Sequence, residues 1–260
     1  MIFLDKMKTK SNSSYQQLNP TNTLNDFIDS YFESINTTSK PLKRTIFPDS
    51  FFKLIVNVVD NKISNVFLTG LWTKESKVII PANATVYGVK FKILAPEYIF
   101  QREIASLIQS QEILDSSFLG IKDMKIDNLQ DYVTQIEPAI LKKLDQTKKI
   151  QTKKIKLSKL LDQSEGDILV QQIVNQTNWN SRSINRYFNK YLGIPLKVYL
   201  NIKKIYSSYI PIINKSFFPE KGFHDQSHFI REIKKHTNKT PKELEKEKDD
   251  RFIQLKNIQK

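Results

Sequence analysis

Arg182, Asn185, Arg186 and Asn189 recur at i, i+3, i+4 and i+7, a spacing that puts side chains on one face of an α-helix. A guanidinium presents two parallel donors matched to guanine O6 and N7, and a carboxamide pairs a donor and an acceptor that fit adenine N6 and N7. The chemistry such a face could do is therefore base-edge reading in the major groove of a duplex. Ile184, Tyr187, Phe188 and Tyr191 form a second stripe at the same spacing, so one face packs while the other is presented. That division also describes an ordinary surface helix, and the pattern alone leaves both readings open. A second run, HDQSHFIREIKKHT at 224–237, is built alike. Asp225 is its expected N-cap, and Phe229 and Ile233 point inward. Ser227, Arg231, Lys234 and Lys235 fall together, and Gln226 and His228 sit in the first turn, where base contacts are made.

The elements that must position these residues are legible around them. DILVQQIVNQT at 167–177 reads as a helix, Thr177-Asn178-Trp179 as a short break, and Asn180 as the N-cap before Ser181. Gly193 suits the residue that ends this helix and Pro195 the first turn of the next. LKVYLNIKKIYSSY then runs as a connecting helix that should stop before Pro211. Thr240-Pro241-Lys242-Glu243 is a capping box that starts a charged final helix.

The N-terminal half reads differently. Residues 1–20 are polar and are expected to be a disordered tail. Leu24, Phe27, Ile28, Tyr31, Phe32 and Ile35 follow helical spacing, which predicts a short amphipathic helix over 24–36. From 44 to 94 the pattern is one of strands. FFKLIVNVV is almost continuously apolar, Asp60-Asn61 marks a turn, and Tyr87, Val89, Phe91 and Ile93 alternate with Gly88, Lys90 and Lys92. Two further helices are expected within 97–144, the second disturbed by Pro138. The lysine-rich stretch from Lys142 to Lys159 is expected as a solvated linker or helix face at a domain boundary. The expected architecture is an α+β N-terminal domain (antiparallel sheet or small barrel plus helices) over 21–145. A basic linker or helix at 146–160 leads to an all-α double helix-turn-helix domain at 161–246, and a charged helix or tail fills 247–260.

Here the resemblance becomes specific. N-x-x-x-I-N-R-Y-F…G-I-P-L-K-x-Y at 180–199 and G-F-H-D-Q-S-H-F-I-R-E-I-K-K-H-T-N-K-T-P-K-E at 222–243 resemble the AraC/XylS family of transcription regulators. The resemblance implies two recognition helices in successive major-groove segments. Carried over by position, Arg182 and Arg186 serve the first helix, and Gln226, Ser227, His228 and Arg231 the second. Ile184, Phe188, Phe229 and Ile233 become core, and Gly222 becomes the turn before the second recognition helix. Phe218 and Pro219 depart from the pattern, since the family carries a helix just before this glycine. The expectation there is a shortened or malformed scaffold helix. Asn238 replaces a helix-ending glycine, a mild change because Asn tolerates the left-handed conformation. PDSFFKLIVNVVD and YGVKFKILAPEYIF look like the N-terminal domains of one subgroup, thought to sense an effector or to mediate dimer contacts.

Composition bounds the alternatives. The chain of 260 residues is 39% hydrophobic and carries a net charge of +14, which attracts polyanions. It has no cysteine, which excludes disulfides, thiolate metal sites and thiol chemistry, including alkyl transfer from damaged DNA. Its six glycines form no phosphate-cradling loop, and no nucleophile elbow occurs. His224 and His228 stand four apart but inside the DNA-binding signature, so no metal is expected there. Asp49 and Asp60 read as turn residues at strand ends. Trp72, Phe51, Phe52, Phe67 and Tyr87 could line a pocket, with core packing the more ordinary use. The expected protein is a cytoplasmic, sequence-specific, non-enzymatic regulator, an activator, without cofactor or membrane span. Its expected partners are double-stranded DNA, a small-molecule effector in the N-terminal domain, a second copy as homodimer, and RNA polymerase. The alternative is a nonspecific DNA-binding or protein-interaction module with a degenerate second helix-turn-helix unit. The DNA-binding set comprises Asn180, Ser181, Arg182, Asn185, Arg186, Asn189, Gln226, Ser227, His228, Arg231, Lys234 and Lys235.

Overall fold

Two covered faces on each central strand set the N-terminal architecture. In the computed structural model, which describes residues 13–218 and 222–246, eight strands precede eight helices. The strands are β1 (Ser13–Leu18), β2 (Ile28–Asn36), β3 (Leu42–Ile46), β4 (Phe52–Val59), β5 (Lys62–Thr69), β6 (Ser76–Ile80), β7 (Ala84–Phe91) and β8 (Gln111–Ile113). Six of them form an antiparallel sheet in the order β1-β2-β7-β4-β5-β8, and β3 pairs with β6 in a separate ribbon. Leu54, Val56 and Val58 of β4 face the main core. Lys53, Ile55 and Asn57, on the other face, line a chamber bounded also by Lys77, Val78 and Ile79 of β6. That is why FFKLIVNVV reads as continuously apolar rather than alternating. Asp60 and Asn61 close the β4–β5 hairpin with φ of 50° and 57°, a turn that needs two left-handed residues. Tyr87, Val89 and Phe91 of β7 face the core as their alternation predicts.

Two expected helices are absent. Residues 28–36 are strand β2 with only a 3-10 turn at Asn22–Leu24 before it. Tyr31 packs into the main core while Phe32 packs on the opposite side with Ile80 and Val86. A strand buried on both faces, with a register shift between Ile28 and Ser30, mimics helical spacing. Residues 97–110 hold a π-type turn at Pro96–Phe100, ended by Gln101 at φ 52°, and a 3-10 turn at Ala105–Leu107. Tyr98, Ile99, Phe100, Ile104 and Leu107 are all buried, so tertiary packing overrides the local period here. Within the stretch expected as a disordered tail, Ser13–Leu18 is strand β1, paired along β2. Residues 1–12, and the charged C-terminal segment 247–260, lie outside the described residues.

The helices are α1 (Leu129–Asp145), α2 (Thr152–Gln163), α3 (Val170–Thr177), α4 (Ser181–Leu192), α5 (Leu196–Ser207), α6 (Tyr209–Ile213), α7 (Gln226–Thr237) and α8 (Pro241–Lys246). Asn128 caps α1, accepting from the Asp131 amide at 3.0 Å, and Pro138 lies within that helix. The connecting helix breaks at Ser208, and Pro211 falls inside the short α6. Among the described residues no helix is long and apolar enough to cross a membrane.

One apolar cluster runs from the sheet through α1 and α2 into α3, α4 and the first half of α5. Lys154, inside the stretch expected to be solvated, is buried. Its Nζ lies 2.6 Å from a Glu97 carboxylate oxygen and over the rings of Tyr98 and Tyr187. Asp162 receives Lys92 at 2.8 Å and Lys203 at 2.9 Å, tying sheet, α2 and α5 together. Gly70 marks a close backbone approach, because a Cβ there would stand 2.0 Å from the Leu107 carbonyl oxygen. Gly70→Ala is expected to lower stability by about 3 kcal/mol through forced displacement of that backbone. Urea unfolding followed by circular dichroism measures it, and an unchanged midpoint refutes it.

Candidate nucleic-acid interface

The first helix-turn-helix assembles as its sequence dictates. Thr177 closes α3 by donating to the Ile173 carbonyl at 2.7 Å. Asn178 adopts the left-handed conformation, and Trp179 tucks under α4 with its ring 5.5 Å from that of Tyr187. Asn180 caps α4, its Oδ1 accepting from the Ser183 amide at 2.8 Å. Ile184, Tyr187, Phe188 and Leu192 are buried. The Tyr187 hydroxyl donates to the Ile93 carbonyl at 3.3 Å, and burial pushes that phenol's pKa well above the ordinary range. Gly193 ends the helix at φ 76°. A Cβ on it would stand 2.7 Å from the Ala105 carbonyl oxygen, so the site needs glycine on two counts.

Ser181, Arg182, Arg186 and Asn189 are exposed on the opposite face. Asn185 is engaged inside the protein. Its Oδ1 accepts from the Leu196 amide at 3.1 Å and its Nδ2 donates to the Ser181 carbonyl at 3.0 Å. The amide expected to read a base thus ties α4 to the start of α5. A single sequence carries no signal of that, since an Asn on this face satisfies either use.

The second unit forms the expected helix α7, and the scaffold before it is short, as the departures at Phe218 and Pro219 lead one to expect. Asp225 caps α7, accepting from the His228 amide at 2.7 Å. That hydrogen bond is the main cause holding its carboxyl below the usual range. Gln226, Ser227, Arg231, Lys234 and Lys235 are exposed. Lys235 Nζ lies 3.5 Å from Glu232, and Glu232 also accepts from the Asn201 amide. His228 is half-buried, its Nδ1 accepting from the His224 amide at 3.3 Å. Asn238 ends α7 at φ 57°, and Thr240 and Glu243 close the expected box, the Thr240 amide donating to Glu243 at 2.7 Å. Ser216–Phe218 are not helical, and Phe218 is 68% exposed. Pro219 lies outside the described residues. The helical turn before Gly222 is instead α6, placed against the end of α5.

Two features escape sequence reasoning, and a third is only hinted at by Phe67 and Trp72. Phe47, between β3 and β4, is buried with Ile205, Tyr209, Ile212, Phe229 and Ile233 under α7. His236 is buried, with Nδ1 2.7 Å from the Thr73 carbonyl oxygen, and desolvation lowers its pKa. The third is the chamber between sheet and ribbon, about 530 Å³, lined by Lys53, Lys90, Asp49, Trp72, Phe67 and Ile55 among others. Asp49 is no mere turn residue, since it pairs with Lys53 at 2.8 Å, both side chains buried. Trp72 Nε1 has no hydrogen-bond partner among the described residues. Phe67 and Trp72 line the chamber, whereas Phe52 and Tyr87 belong to the core.

A family described as a domain of unknown function, DUF6597, matches residues 16–112. No curated protein matches the chain. Among solved structures, an apo variant of ToxT from Vibrio cholerae is similar at 13% identity, covering 81% of this chain and 95% of that one, with a TM-score of 0.42. ToxT in another crystal form is similar at 13% identity over 88% of this chain and 95% of that one, TM-score 0.40. ToxT bound to an unsaturated fatty acid is similar at 15% identity over 88% and 92%, TM-score 0.36.

Asn185→Ala is expected to destabilise the protein by about 1–3 kcal/mol, by orphaning the Leu196 amide. Asn185→Asp, which keeps an acceptor, should hold most of that stability. Thermal unfolding of the two variants decides it, and equal losses in both remove the tie from the account.

Proposed function

We propose that this chain is a transcription regulator that binds double-stranded DNA in a sequence-specific way through α4 and α7. The carrying observation is the partition of α4, in which Arg182, Arg186 and Asn189 are exposed while Ile184, Tyr187, Phe188 and Leu192 on the other face are buried. A guanidinium held on a rigid helix can bond guanine bidentately, and the surrounding lysines supply the phosphate attraction. The exposed Gln226, Ser227, Arg231 and Lys234 give α7 the same character. The sequence resemblance to AraC/XylS regulators in both signatures supports the same reading. Asn180 contributes as a cap, and Ser181, Lys235 and His228 flank the reading faces.

In this reading the N-terminal chamber takes a small-molecule effector, a second copy supplies the homodimer, and RNA polymerase is the partner at the promoter. Support for the effector comes from the buried Lys53, Lys90 and Trp72 among the residues that line the chamber, polar groups in a mostly apolar setting.

The non-helical Ser216–Phe218 segment favours a second reading, in which the unit around α7 is degenerate and the protein binds DNA without sequence preference. Selection from a random duplex pool separates the two. Sequence-specific binding enriches one motif with two adjacent half-elements, whereas the second reading enriches none. On the enriched duplex, Arg186→Ala should weaken binding by about 1–3 kcal/mol and relax one base position. A uniform loss across all sequences would make Arg186 a phosphate contact instead.

A further inference from the structure

The second unit is short of a scaffold, and the N-terminal domain fills the gap. Under α7, Phe229 and Ile233 pack with Ile205, Tyr209, Ile212 and Leu244, and Phe47 completes that cluster while fully buried. Its ring lies 5.9 Å from that of Tyr209, whose hydroxyl donates to the Pro48 carbonyl at 3.2 Å. The far end of α7 is held as well. His236 Nδ1 meets the Thr73 carbonyl at 2.7 Å, and the Glu75 amide donates to the His236 carbonyl at 3.0 Å. Gln109, itself left-handed at φ 55°, fixes that loop by accepting from the Thr73 and Lys74 amides and donating to Ser76 at 3.3 Å. Towards the first unit α7 is held less closely: a cleft of about 1110 Å³, lined by Leu169 and Val170 on one side and Glu232 and His236 on the other, separates it from α3, and the Asn201 side chain of α5 donates to Glu232.

Both segments that hold α7 also wall the chamber. Phe47 enters the cluster under α7, and Asp49, two residues on, lines the chamber in its ion pair with Lys53. Trp72 lines the chamber, and the next residue, Thr73, bonds α7. The first unit is attached elsewhere. α4 leans on the Ile93 carbonyl and on the Ile104 amide, which donates to Tyr191 at 3.0 Å, and α2 on Glu97. None of these three residues is among those lining the chamber, although Lys92, which pairs with Asp162 of α2, stands two residues from the chamber's Lys90.

We infer that the N-terminal domain serves as the scaffold of α7 through Phe47 and His236, and that the contents of the chamber set the position of α7 while leaving α4 in place. A change in the chamber displaces Asp49 or Trp72, and each is within two peptide bonds of a contact to α7. Small shifts are passed on because packed side chains have discrete arrangements rather than soft ones. That α7 reads DNA rests on the proposed function, whereas the mechanical linkage does not.

Hydrogen–deuterium exchange on the full chain, without DNA, tests the linkage. Phe47→Leu and His236→Ala should each speed exchange of the 226–237 amides by about tenfold or more while the 181–192 amides keep wild-type protection. Wild-type protection in α7, or equal loss in both helices, overturns the scaffold role. The milder Phe47→Leu keeps the test open should His236→Ala fail to fold. Asn57→Trp fills the chamber from β4, in neither connecting segment, and should change exchange in α7 alone. No change in α7, or a matching change in α4, overturns the coupling. DNA binding does not enter the readout, so failure here is separable from failure of the regulator assignment.

Discussion

Tyr187 is the wedge on which the outward face of α4 depends. A helix can present to a ligand only the face it does not need for packing, and on α4 that partition is set by one buried phenol. Its ring sits between Trp179, Phe188 and Tyr191, with the Lys154 ammonium over it at 5.1 Å. Its hydroxyl reaches the Ile93 carbonyl. A buried hydroxyl left without such a partner costs about 1–3 kcal/mol, so the helix has little freedom to rotate about its axis. Rotation would expose the aromatic stripe and bury Arg182 and Arg186. The outward guanidiniums follow from the inward tyrosine.

The two units meet this constraint in different ways. The first is continuous with the main core, and its helices share apolar neighbours with the sheet and with α1 and α2. The second has its own smaller cluster, completed by a phenylalanine from outside the helical region. Burying one phenylalanine contributes about 1.5–3 kcal/mol, a large share of what a cluster of this size can supply. Separate cores give α4 and α7 largely separate attachments, joined through α5, which contributes Ile202 to one and Ile205 to the other.

The chamber exists because the central strands are apolar on one face and mixed on the other. β4 sends Leu54, Val56 and Val58 into the core and Lys53, Ile55 and Asn57 across to the ribbon. A buried lysine is costly unless paired, and Asp49 provides the pair for Lys53 at 2.8 Å. Even so, burial lowers the pKa of Lys53 against the pull of that carboxylate. Polar groups held at this cost in a mostly apolar space distinguish a chamber from a packing defect.

Local rules determined much from the residues alone. Asn180 and Asp225 as N-caps, Gly193 and Asn238 as left-handed ends, the Thr240–Glu243 box, the Asp60–Asn61 turn and the alternation of β7 each follow from short-range sterics and hydrogen bonding. All are present as read except the last, since β7 is buried on its lysine face as well, where Lys90 lines the chamber. The same rules failed at 24–36 and 97–110, where apolar residues at helical spacing serve strands and turns buried on both sides. Periodicity reports which residues seek burial, not how many faces the fold will bury. Tertiary structure alone decided that Asn185 bonds Leu196, that Lys154 leaves solvent for Glu97, and that Phe47 and His236 join α7 to a domain far away in the chain. Such partners are distant in sequence and are chosen by how whole surfaces fit, and no local pattern records that choice.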